Sequence, residues 1–500
     1  MRNRIIVSVV SALPLLASHA SAQSARASSA LIAATVDSLA NRAIAAGLAP
    51  ALGLAITRDG STILRRAYGM ADVSAQIAAD ANTLWYLAST SKSLTGFGAS
   101  LLAEQGSLRF ETPITTLLPG ATWHASAKAD SLTLAHFLSH THQLNDNAVV
   151  MSAAFTGAIP EAEWPSLVAL AAPRRTPDLV YSNFGYNVAA MVIDRVRPEG
   201  WRRYLEANVY TPAGMRNTFA RISGLAPRRI ARPHRLRGDG AYVTETFFKT
   251  DATMNSAGGH LATLDDLARW TIVQMDSGVI DGRRVFPAAA VALSQTLLAR
   301  QTREQAKRFA YFDRDGWGAG WDLGSYAGER MVSRFGGYSS FRSHLSFLPQ
   351  RRIGVVAITT GGLGASLTDL LAAFAYDLDA GRADAQTSAR ERLDRLIEQL
   401  ASSHRSALTR DSMLAIKSRE PLGRPATDFA AAYDAPGYGT LVIRPRGVGL
   451  QYRWGMVHGL LVPDDLATGR FAFDVAGTDM VLVFDSPATG VVQSLFRRSR

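Results

Sequence analysis

The N-terminal part of the chain carries a helical pattern followed by two strand patterns. Between residues 31 and 47, apolar side chains recur at helical spacing up to a glycine, which predicts an amphipathic helix. Residues 51–58 and 61–68 are rich in β-forming residues, and the Asp59-Gly60 pair between them is a strong hairpin signal. The pattern therefore predicts a helix and then a β-hairpin at the start of the folded region.

Strand patterns return only after a long segment that favours helices and loops. That segment covers roughly residues 85–300, and strands are predicted again at 341–348 and 353–359, ahead of a helix at 367–378. We therefore expect an α+β fold in which distant segments form one antiparallel sheet. The terminal helices should flank this sheet, and the middle of the chain should form a large helical region.

The C-terminal part divides into a helical and a β-rich segment. Residues 382–425 are charged and rich in alanine, with leucines at helical spacing, which predicts a helical linker. Residues 426–500 alternate apolar and polar positions between glycine turns, which predicts a small β domain. The expected organisation is a domain at 23–381, then the linker, then the C-terminal β domain.

Composition and charge narrow the classes of protein that the chain can belong to. Of its 500 residues, 47% are hydrophobic and 19% charged, which excludes disorder as a description of the whole chain. It has no cysteine, which excludes disulfides, thiolate metal sites and a cysteine nucleophile. The net charge of +11 comes from scattered basic residues, whereas a nucleic-acid-binding protein concentrates them on one face or tail. We expect no nucleic-acid partner, and a solvated basic surface is the simplest interpretation, with attraction to an anionic envelope or substrate as the alternative.

Residues 1–22 have the pattern of a signal peptide. Two arginines precede an apolar stretch, and Ala20-Ser21-Ala22 gives a small-x-small cleavage pattern before Gln23. No later stretch is apolar over the ~20 residues that a membrane-spanning helix needs. We therefore expect an exported protein, periplasmic or secreted, with no transmembrane segment in the mature chain.

Ser89 and Lys92 form a Ser-x-x-Lys spacing at the start of a predicted helix. Residues three apart share a helix face, so the hydroxyl and the amine can come within hydrogen-bonding distance. A serine becomes a strong nucleophile when a neighbour takes its proton, which a desolvated lysine can do and an arginine cannot. The spacing also arises by chance, and a surface lysine is the alternative. The chain has only five lysines, however, and Lys92 alone has a serine three positions before it.

Two further segments carry groups suited to the same site. Tyr181 and Asn183 lie in a predicted loop before a helix, where a phenol and an amide can face a shared cleft; a packed tyrosine and a capping asparagine are the alternative. Arg334-Phe335-Gly336-Gly337 precedes the strand predicted at 341–348. Glycines at such a place let a strand edge approach a ligand closely and offer backbone N–H groups to an oxyanion.

Together and in this order, these elements resemble the active-site motifs of the serine β-lactamase and penicillin-binding-protein superfamily. The Tyr-x-Asn element is similar to the branch that contains class C β-lactamases, D-Ala-D-Ala carboxypeptidases and family VIII esterases. The resemblance covers about residues 30–380 and extends to neighbouring segments such as Leu84-Trp85-Tyr86-Leu87-Ala88 and Gly258-Gly259-His260. It implies a β-lactamase/transpeptidase-like fold, and the C-terminal segment looks like a small β domain often appended to such hydrolases.

Carried over by position, the resemblance implies an acyl-enzyme mechanism without metal or organic cofactor. Ser89 would be the nucleophile, and Lys92 would accept its proton. Tyr181 would relay a proton to the leaving group and activate the deacylating water. Asn183 would orient Lys92 or a substrate amide.

The third element would complete the site and also departs from the family pattern. The N–H groups of Ser89 and Gly337 would form the oxyanion hole, with Arg334, Phe335 and Gly336 at the substrate. The family usually has Lys or His in place of Arg334, which keeps a positive charge for a carboxylate but cannot shuttle a proton. Phe335 adds bulk where β-lactamases often carry a small hydroxyl residue. We therefore expect a small ester, an amide or a D-amino-acid peptide as substrate, with weak or no β-lactamase activity.

Two other functions fit parts of the pattern. His140 and His142, with Asp146 nearby, have the spacing of an H-x-H metal site, which would suit a metallohydrolase. In the same segment, His142-Gln143 replaces the Ser-Gly that relatives often carry, which predicts a changed loop backbone. Arg334 also fits a catalytically impaired protein that keeps the fold and acts in binding or regulation. The acyl-enzyme hydrolase accounts for the largest number of these features.

Overall fold

The computed structural model describes residues 26–145, 147–174, 180–246, 249–302, 311–475, 478–486, 491–492 and 496–498. The predicted signal peptide at 1–22 and Asp146 lie outside these residues. None of the helices in the described part of the chain is long and apolar enough to cross a membrane.

The helix and hairpin predicted near the N-terminus both form. Ser28 caps the helix, since its side chain accepts a hydrogen bond of 3.1 Å from the N–H of Leu31. Asp59 and Gly60 both have positive φ angles, 51° and 79°, as the two central residues of a type I′ hairpin turn require. The bounds are α1 (Ser29–Ala45), β1 (Ala51–Arg58), β2 (Ser61–Asp72) and β3 (Ile77–Ala78).

The middle of the chain folds into helices and very short strands, packed around one buried helix, α2. Gly96 and Gly98 let neighbouring segments approach it closely. A Cβ atom at Gly96 would lie 2.3 Å from the Ala319 carbonyl oxygen, and one at Gly98 would lie 2.4 Å from Leu205. The bounds are β4 (Trp85–Tyr86), α2 (Lys92–Glu104), α3 (Ile114–Leu117), α4 (Leu134–Leu138), α5 (Asn147–Val150), α6 (Trp164–Leu167), α7 (Phe184–Val196), α8 (Trp201–Leu205), α9 (Thr211–Ala213), β5 (Thr218–Phe219), β6 (His234–Leu236), β7 (Tyr242–Thr244), β8 (Leu261–Ala262), α10 (Leu264–Met275), β9 (Val279–Ile280), β10 (Arg283–Arg284) and α11 (Ala288–Ser294).

Late strands and early strands join in one antiparallel sheet, as the pattern predicts. Its strand order is β11-β12-β13-β14-β15-β16-β1-β2-β3, so β16 brings the end of the region beside its beginning, with Thr359 opposite Leu52. One face packs against α1 and α12, and the other packs against α10 and the helical region around α2. The additional bounds are β11 (Ala299–Arg300), β12 (Asp313–Trp317), β13 (Asp322–Tyr326), β14 (Glu329–Tyr338), β15 (Phe341–Leu348), β16 (Ile353–Thr360) and α12 (Gly364–Asp379).

A long helix leads from this region to a closed β-barrel. The first half of the helix is buried against α1 and α12 through Leu393, Leu396 and Leu400, whereas Ile416 near its end is 66% exposed. The barrel has its own core of aromatic and aliphatic side chains. The predicted fold class, including the small C-terminal β domain, is confirmed. The bounds are α13 (Ala385–Lys417), β17 (Ala431–Ala435), β18 (Gly439–Arg446), β19 (Gly449–Trp454), β20 (Val457–Asp465), β21 (Arg470–Val475), β22 (Thr478–Ser486), β23 (Val491–Val492) and β24 (Phe496–Arg498).

Candidate active site

Ser89 lies in a short 3-10 turn, Ala88–Ser91, directly before α2. Hydroxyl groups fasten this turn to the sheet: Thr90 Oγ1 lies 2.8 Å from Ser343 Oγ, and Ser343 Oγ donates to the Leu87 carbonyl at 2.7 Å. Ala88 has a φ of 47°, a left-handed conformation that is uncommon outside glycine. The serine is therefore presented by a sharp turn between β4 and α2, one 3-10 turn ahead of the α-helix itself.

Lys92 is fully buried beside Ser89 and is held by oxygen atoms from distant segments. Its Nζ lies 3.2 Å from Ser89 Oγ, and it donates to Asn183 Oδ1 at 2.6 Å and to the Ala257 carbonyl at 2.7 Å. The centre of the Tyr181 ring lies 4.9 Å from the same nitrogen. The structure thus brings together Ser89, Lys92, Tyr181 and Asn183.

Ser182, rather than Asn183, provides the side-chain hydrogen bond at the start of α7. The Ser182 side chain accepts a hydrogen bond of 3.0 Å from the Phe184 N–H, and the Ser182 N–H donates to His140 Nδ1 at 3.2 Å. Asn183 occupies the N-cap position, but its side chain makes no capping hydrogen bond. Its amide oxygen is therefore available to Lys92, and the capping role considered from the sequence does not apply.

Tyr181 places its hydroxyl between Arg334 and Ser89. Arg334 Nη2 donates to this oxygen at 2.7 Å, and the phenol also forms a hydrogen bond with Ser89. Although the residue is 41% exposed, its oxygen points inward and its ring packs on His140, with 4.6 Å between ring centres. Burial raises the pKa of Tyr181, and the positive charge of Arg334 and the hydrogen bond with Ser89 offset this only in part.

Arg334 faces the site and not the solvent, since only 2% of its surface is exposed. Its Nε donates to the Ser89 carbonyl at 3.1 Å, and its Nη1 lies 3.2 Å from Asp322 Oδ2. Burial acts to lower the pKa of Arg334, but Tyr181 and Asp322 outweigh that effect and the net shift is upward. The guanidinium is therefore a permanent charge that holds the nucleophile turn and the phenol together.

Gly336 lies directly against the nucleophile turn. A Cβ atom at Gly336 would lie 2.3 Å from the Leu87 carbonyl oxygen and 3.0 Å from the Ser89 nitrogen. The pairing of β14 with β13 ends at Ser333, so within the described sheet residues 334–338 pair only with β15. The other edge of this stretch has no partner strand in the described sheet. The nucleophile turn lies against it at Arg334 and Gly336, and Gly337 is exposed.

Phe335 is not brought to the cleft, which corrects the expectation that it lies at the substrate with Arg334 and Gly336. Side chains alternate along a strand, and Arg334 and Gly336 take the face toward Ser89. The Phe335 ring packs on the sheet face that is covered by α1 and α12. Its centre lies 4.8 Å from that of the His344 ring and 6.1 Å from that of the Phe312 ring.

His140 and His142 serve as buried hydrogen-bond acceptors. His142 Nδ1 accepts from the Leu144 N–H at 3.1 Å, its ring stacks on Phe137, and burial lowers the pKa of His142 to about 3. His140 and Gln143 have left-handed φ angles of 63° and 57°. Among the described residues, no group of three or more His, Asp or Glu side chains could hold a metal ion.

A serine–histidine–carboxylate array, separate from the Ser89 site, lies on the face of the sheet that packs against α1 and α12. His344 Nε2 lies 2.6 Å from Ser346 Oγ, and His344 Nδ1 lies 2.8 Å from Asp369 Oδ1. Ser346 is completely buried and its hydroxyl also contacts Tyr376, so a substrate cannot reach it. Ser89, which is partly exposed, is the accessible serine of the two.

Three contributors to the site carried no usable sequence signal. The Ala257 carbonyl is a backbone group, and any residue type could supply it; its nearest signal was the adjacent Gly258-Gly259-His260. Asp322 lies on β13, 12 residues before its partner Arg334, outside any motif. The sequence signal at His140 is its spacing from His142, which does not indicate its contact with Tyr181.

Comparison with known proteins defines the class to which this fold and site belong. A sequence model described as Beta-lactamase matches residues 37–380, so the chain belongs to the Beta-lactamase family of serine hydrolases. Penicillin-binding protein 4 of Amycolatopsis lactamdurans is 25% identical over 328 residues, which cover 64% of this chain and 84% of that protein. Unguisins hydrolase ungD of Aspergillus violaceofuscus is 25% identical over 338 residues, which cover 62% of this chain and 58% of that protein.

Solved structures share the fold at low identity. An octameric penicillin-binding protein homologue from Pyrococcus abyssi is similar with a TM-score of 0.59 and 16% identity, over 93% of this chain and 98% of the other. D-amino acid amidase from Ochrobactrum anthropi is similar with a TM-score of 0.55 and 20% identity, over 74% of this chain and 99% of the other. The first of these similarities extends over most of the chain, beyond the region that the family model matches.

Proposed function

We propose that this protein hydrolyses a small ester, an amide or a D-amino-acid peptide through an acyl-enzyme on Ser89. The observation that carries the proposal is the buried Lys92 amine, 3.2 Å from Ser89 Oγ and held by Asn183 and Ala257. A neutral amine has two N–H bonds and one lone pair. If the two N–H bonds are donated to Asn183 Oδ1 and the Ala257 carbonyl, the lone pair is left for the serine proton.

Acylation would begin when Lys92 accepts the proton of Ser89 as Oγ bonds to the substrate carbonyl carbon. The N–H groups of Ser89 and Gly337 would stabilise the oxyanion, a role that fits the exposed Gly337 next to Gly336, which lies against the nucleophile turn. The bond to the leaving group then breaks, and the departing oxygen or nitrogen takes a proton from Tyr181. Tyr181 would in turn regain a proton from Lys92.

Deacylation would use the same groups in the opposite direction. Tyr181 passes its proton to the neutral Lys92 amine and takes one from water while the water oxygen bonds to the acyl carbon. The protonated Lys92 then returns a proton to Ser89 Oγ as the bond between Oγ and that carbon breaks. Arg334 supports this step as an organiser, because it donates to the phenol oxygen and is itself paired with Asp322. Its charge is already partly neutralised by Asp322, so we assign it to positioning Tyr181 rather than to clamping a substrate carboxylate.

The substrate classes follow from the relatives and from the site. One structural neighbour is named a D-amino acid amidase, and relatives are named penicillin-binding proteins and a hydrolase. Arg334 cannot share a proton with Tyr181 in the way that Lys or His can. We therefore expect short-chain p-nitrophenyl esters to be cleaved with a kcat/KM orders of magnitude above that for a chromogenic cephalosporin. Efficient cephalosporin turnover by the unaltered protein would contradict this assignment.

Active-site labelling tests the nucleophile. We expect a fluorophosphonate to modify the protein once and the adduct to map to residues 87–92 by peptide mass spectrometry. Ser89→Ala should abolish labelling and ester cleavage. Ser346→Ala, the matched control, removes the buried serine hydroxyl and should leave the adduct on Ser89. Labelling of Ser89→Ala would refute the nucleophile, and failure to label the unaltered protein would favour a binding or regulatory role.

We also propose that the chain is exported and that residues 1–22 are removed. The signal-like pattern at the N-terminus supports this, as do relatives named penicillin-binding proteins. N-terminal sequencing of protein expressed in a secreting host should then begin at Gln23. Recovery of the chain with an intact N-terminus in the cytoplasm would contradict export.

A further inference from the structure

Lys249 is a second buried lysine, and it joins two segments of the helical region. Only 6% of its surface is exposed, and its Nζ donates to the Ala154 and Thr253 carbonyls. Ala154 belongs to a π-helical turn, Met151–Thr156, and Thr253 to a 3-10 turn, Asp251–Thr253. Burial lowers the pKa of Lys249 well below its usual range, so the amine depends on these two carbonyls as a replacement for water.

The same amine lies over the aromatic rings that flank the nucleophile turn. The Lys249 nitrogen is 3.8 Å from the centre of the Tyr338 ring and 5.5 Å from that of Tyr86, and the two rings lie 5.3 Å apart. Phe155, from the segment that Lys249 holds, packs on Tyr338 with 5.7 Å between ring centres. Tyr338 is the neighbour of Gly337, so these contacts fix the end of β14 where the oxyanion is expected.

The C-terminal barrel contacts both of the segments that Lys249 joins. In the β19–β20 turn, the Met456 N–H donates to the Thr156 carbonyl at 2.9 Å, and Met456 Sδ lies 3.7 Å from Thr253 Oγ1. A Cβ atom at Gly455 would lie 2.2 Å from the Thr156 carbonyl oxygen, so the turn fits only because that position is glycine. The contact is therefore close and specific, and it is linked to the site through Phe155 and Tyr338.

We propose that Lys249 is a positioning residue for the substrate-facing end of β14, and that the Gly455–Met456 turn of the barrel holds the two segments that Lys249 joins. This inference rests on the proposed acyl-enzyme function. A shift of either segment would move Phe155 and Tyr338, and with them the N–H of Gly337. Misplacement of reacting groups by about 1 Å can lower a rate by about 100-fold.

The test uses Lys249→Met, which keeps the length and apolar volume of the side chain but removes the amine that donates to the two carbonyls. Lys417→Met is the matched control, because Lys417 pairs with Asp464 at the surface of the barrel. The rate of p-nitrophenyl ester cleavage is divided by the number of sites that a fluorophosphonate titrates, so misfolded protein does not count. We expect kcat per labelled site to fall by about 10- to 100-fold in Lys249→Met, with a smaller change in KM. The control should match the unaltered protein.

The barrel contact is tested separately. Met456→Asp places a carboxylate against Thr250 and Thr253, whereas Val448→Asp places one on an exposed turn of the same barrel. We expect kcat per labelled site to fall in Met456→Asp and to stay unchanged in Val448→Asp. If Lys249→Met does not fold, the measurement is made on Lys249→Gln, which retains a donor. Met456→Asp tests the barrel contact in either case.

The outcomes separate this inference from the proposed function. If the unaltered protein is not labelled at Ser89, the proposed function fails. If it is labelled, but kcat per labelled site is unchanged in Lys249→Met and in Met456→Asp while the melting temperature falls, both residues are only structural and the inference is overturned.

Discussion

Lys92 is held by three oxygen atoms that come from three separate parts of the chain, namely Ser89, Asn183 and Ala257. A buried amine needs such acceptors, because an unsatisfied polar group in the interior costs about 1–3 kcal/mol. The arrangement fixes both the position of the nitrogen and the direction from which it meets the serine. Substitutions at Lys92 therefore test geometry and proton transfer together.

We expect Lys92→Arg to be as damaging as Lys92→Ala. A guanidinium keeps the charge but does not deprotonate, so both variants lack a proton acceptor for Ser89. Loss of general-base assistance should lower the rate of phosphonate labelling and of ester cleavage by about 100- to 10,000-fold. Stopped-flow acylation at several phosphonate concentrations would measure this. Substantial activity in Lys92→Arg would remove Lys92 from the role of base.

Arg334 should control the pH dependence through Tyr181. The positive guanidinium favours the phenolate and so acts to lower the pKa of Tyr181, against the upward shift that burial causes. In Arg334→His, which is neutral at alkaline pH, the pKa of Tyr181 should rise further. The alkaline limb of the kcat/KM profile should therefore move to higher pH.

The substrate preference should change in the same variants. Arg334→Lys and Arg334→His introduce residues that can exchange protons with Tyr181. We therefore expect cephalosporin or D-peptide turnover to rise, while ester cleavage changes less. Paired measurements of both substrates across pH 6–10 would check this. Unchanged profiles for both substrates in both variants would show that Arg334 does not act on Tyr181.

At the scale of elements, helix α13 has two halves with different surroundings. Leu393, Leu396 and Leu400 are buried against α1 and α12, so the first half belongs to the core on that face of the sheet. Leu408, Met413 and Ile416 in the second half are 47–66% exposed. A protease should therefore meet the chain after the buried half.

Limited proteolysis should cut between residues 408 and 425 and release the barrel. We expect the larger fragment to end beyond Leu400 and to remain folded, because every buried contact of α12 is kept. Mass spectrometry gives the cut site and circular dichroism gives the fold of the fragment. First cleavage near residue 380, or unfolding of the fragment, would contradict separate folding. A folded fragment with reduced ester cleavage would agree with the role of the Gly455–Met456 turn.

At the scale of the molecule, buried histidines should make stability depend on pH. Burial lowers the pKa of His142 and of His260 to about 3 and that of His234 to about 4. An unfolded histidine binds a proton near pH 6.5, so below that pH the unfolded state binds protons that the folded state excludes. Stability is therefore complete above about pH 6.5 and is lost as the pH falls toward 4.

Urea unfolding between pH 7.5 and 4.5 measures this dependence. Each such histidine contributes a slope of up to about 1.4 kcal/mol per pH unit. His142→Gln should reduce the slope, whereas His458→Gln, at an exposed position of the barrel, should leave it unchanged. A slope that is identical in His142→Gln and the unaltered protein would contradict the assignment for His142.

The sequence by itself determined those features that depend on local pattern. The 3.6-residue period predicted α1, α12 and α13, and the Asp59-Gly60 turn predicted the β1–β2 hairpin. The spacing of Ser89 and Lys92 depends on one helical turn, so it too could be found along the chain. These signals are local because neighbours in sequence set the backbone angles and the face on which a side chain lies.

Only the tertiary structure decided which groups meet across the fold. The sequence pattern did not predict β14, and Arg334 and Phe335 take opposite faces of that strand, with Arg334 on the face that meets Ser89. This arrangement depends on the pairing of β14 with β15 and on the packing of the nucleophile turn against Gly336. The Ala257 carbonyl and Asp322 likewise reach the site through contacts between distant segments. Such contacts depend on strand order and packing, which no local period encodes.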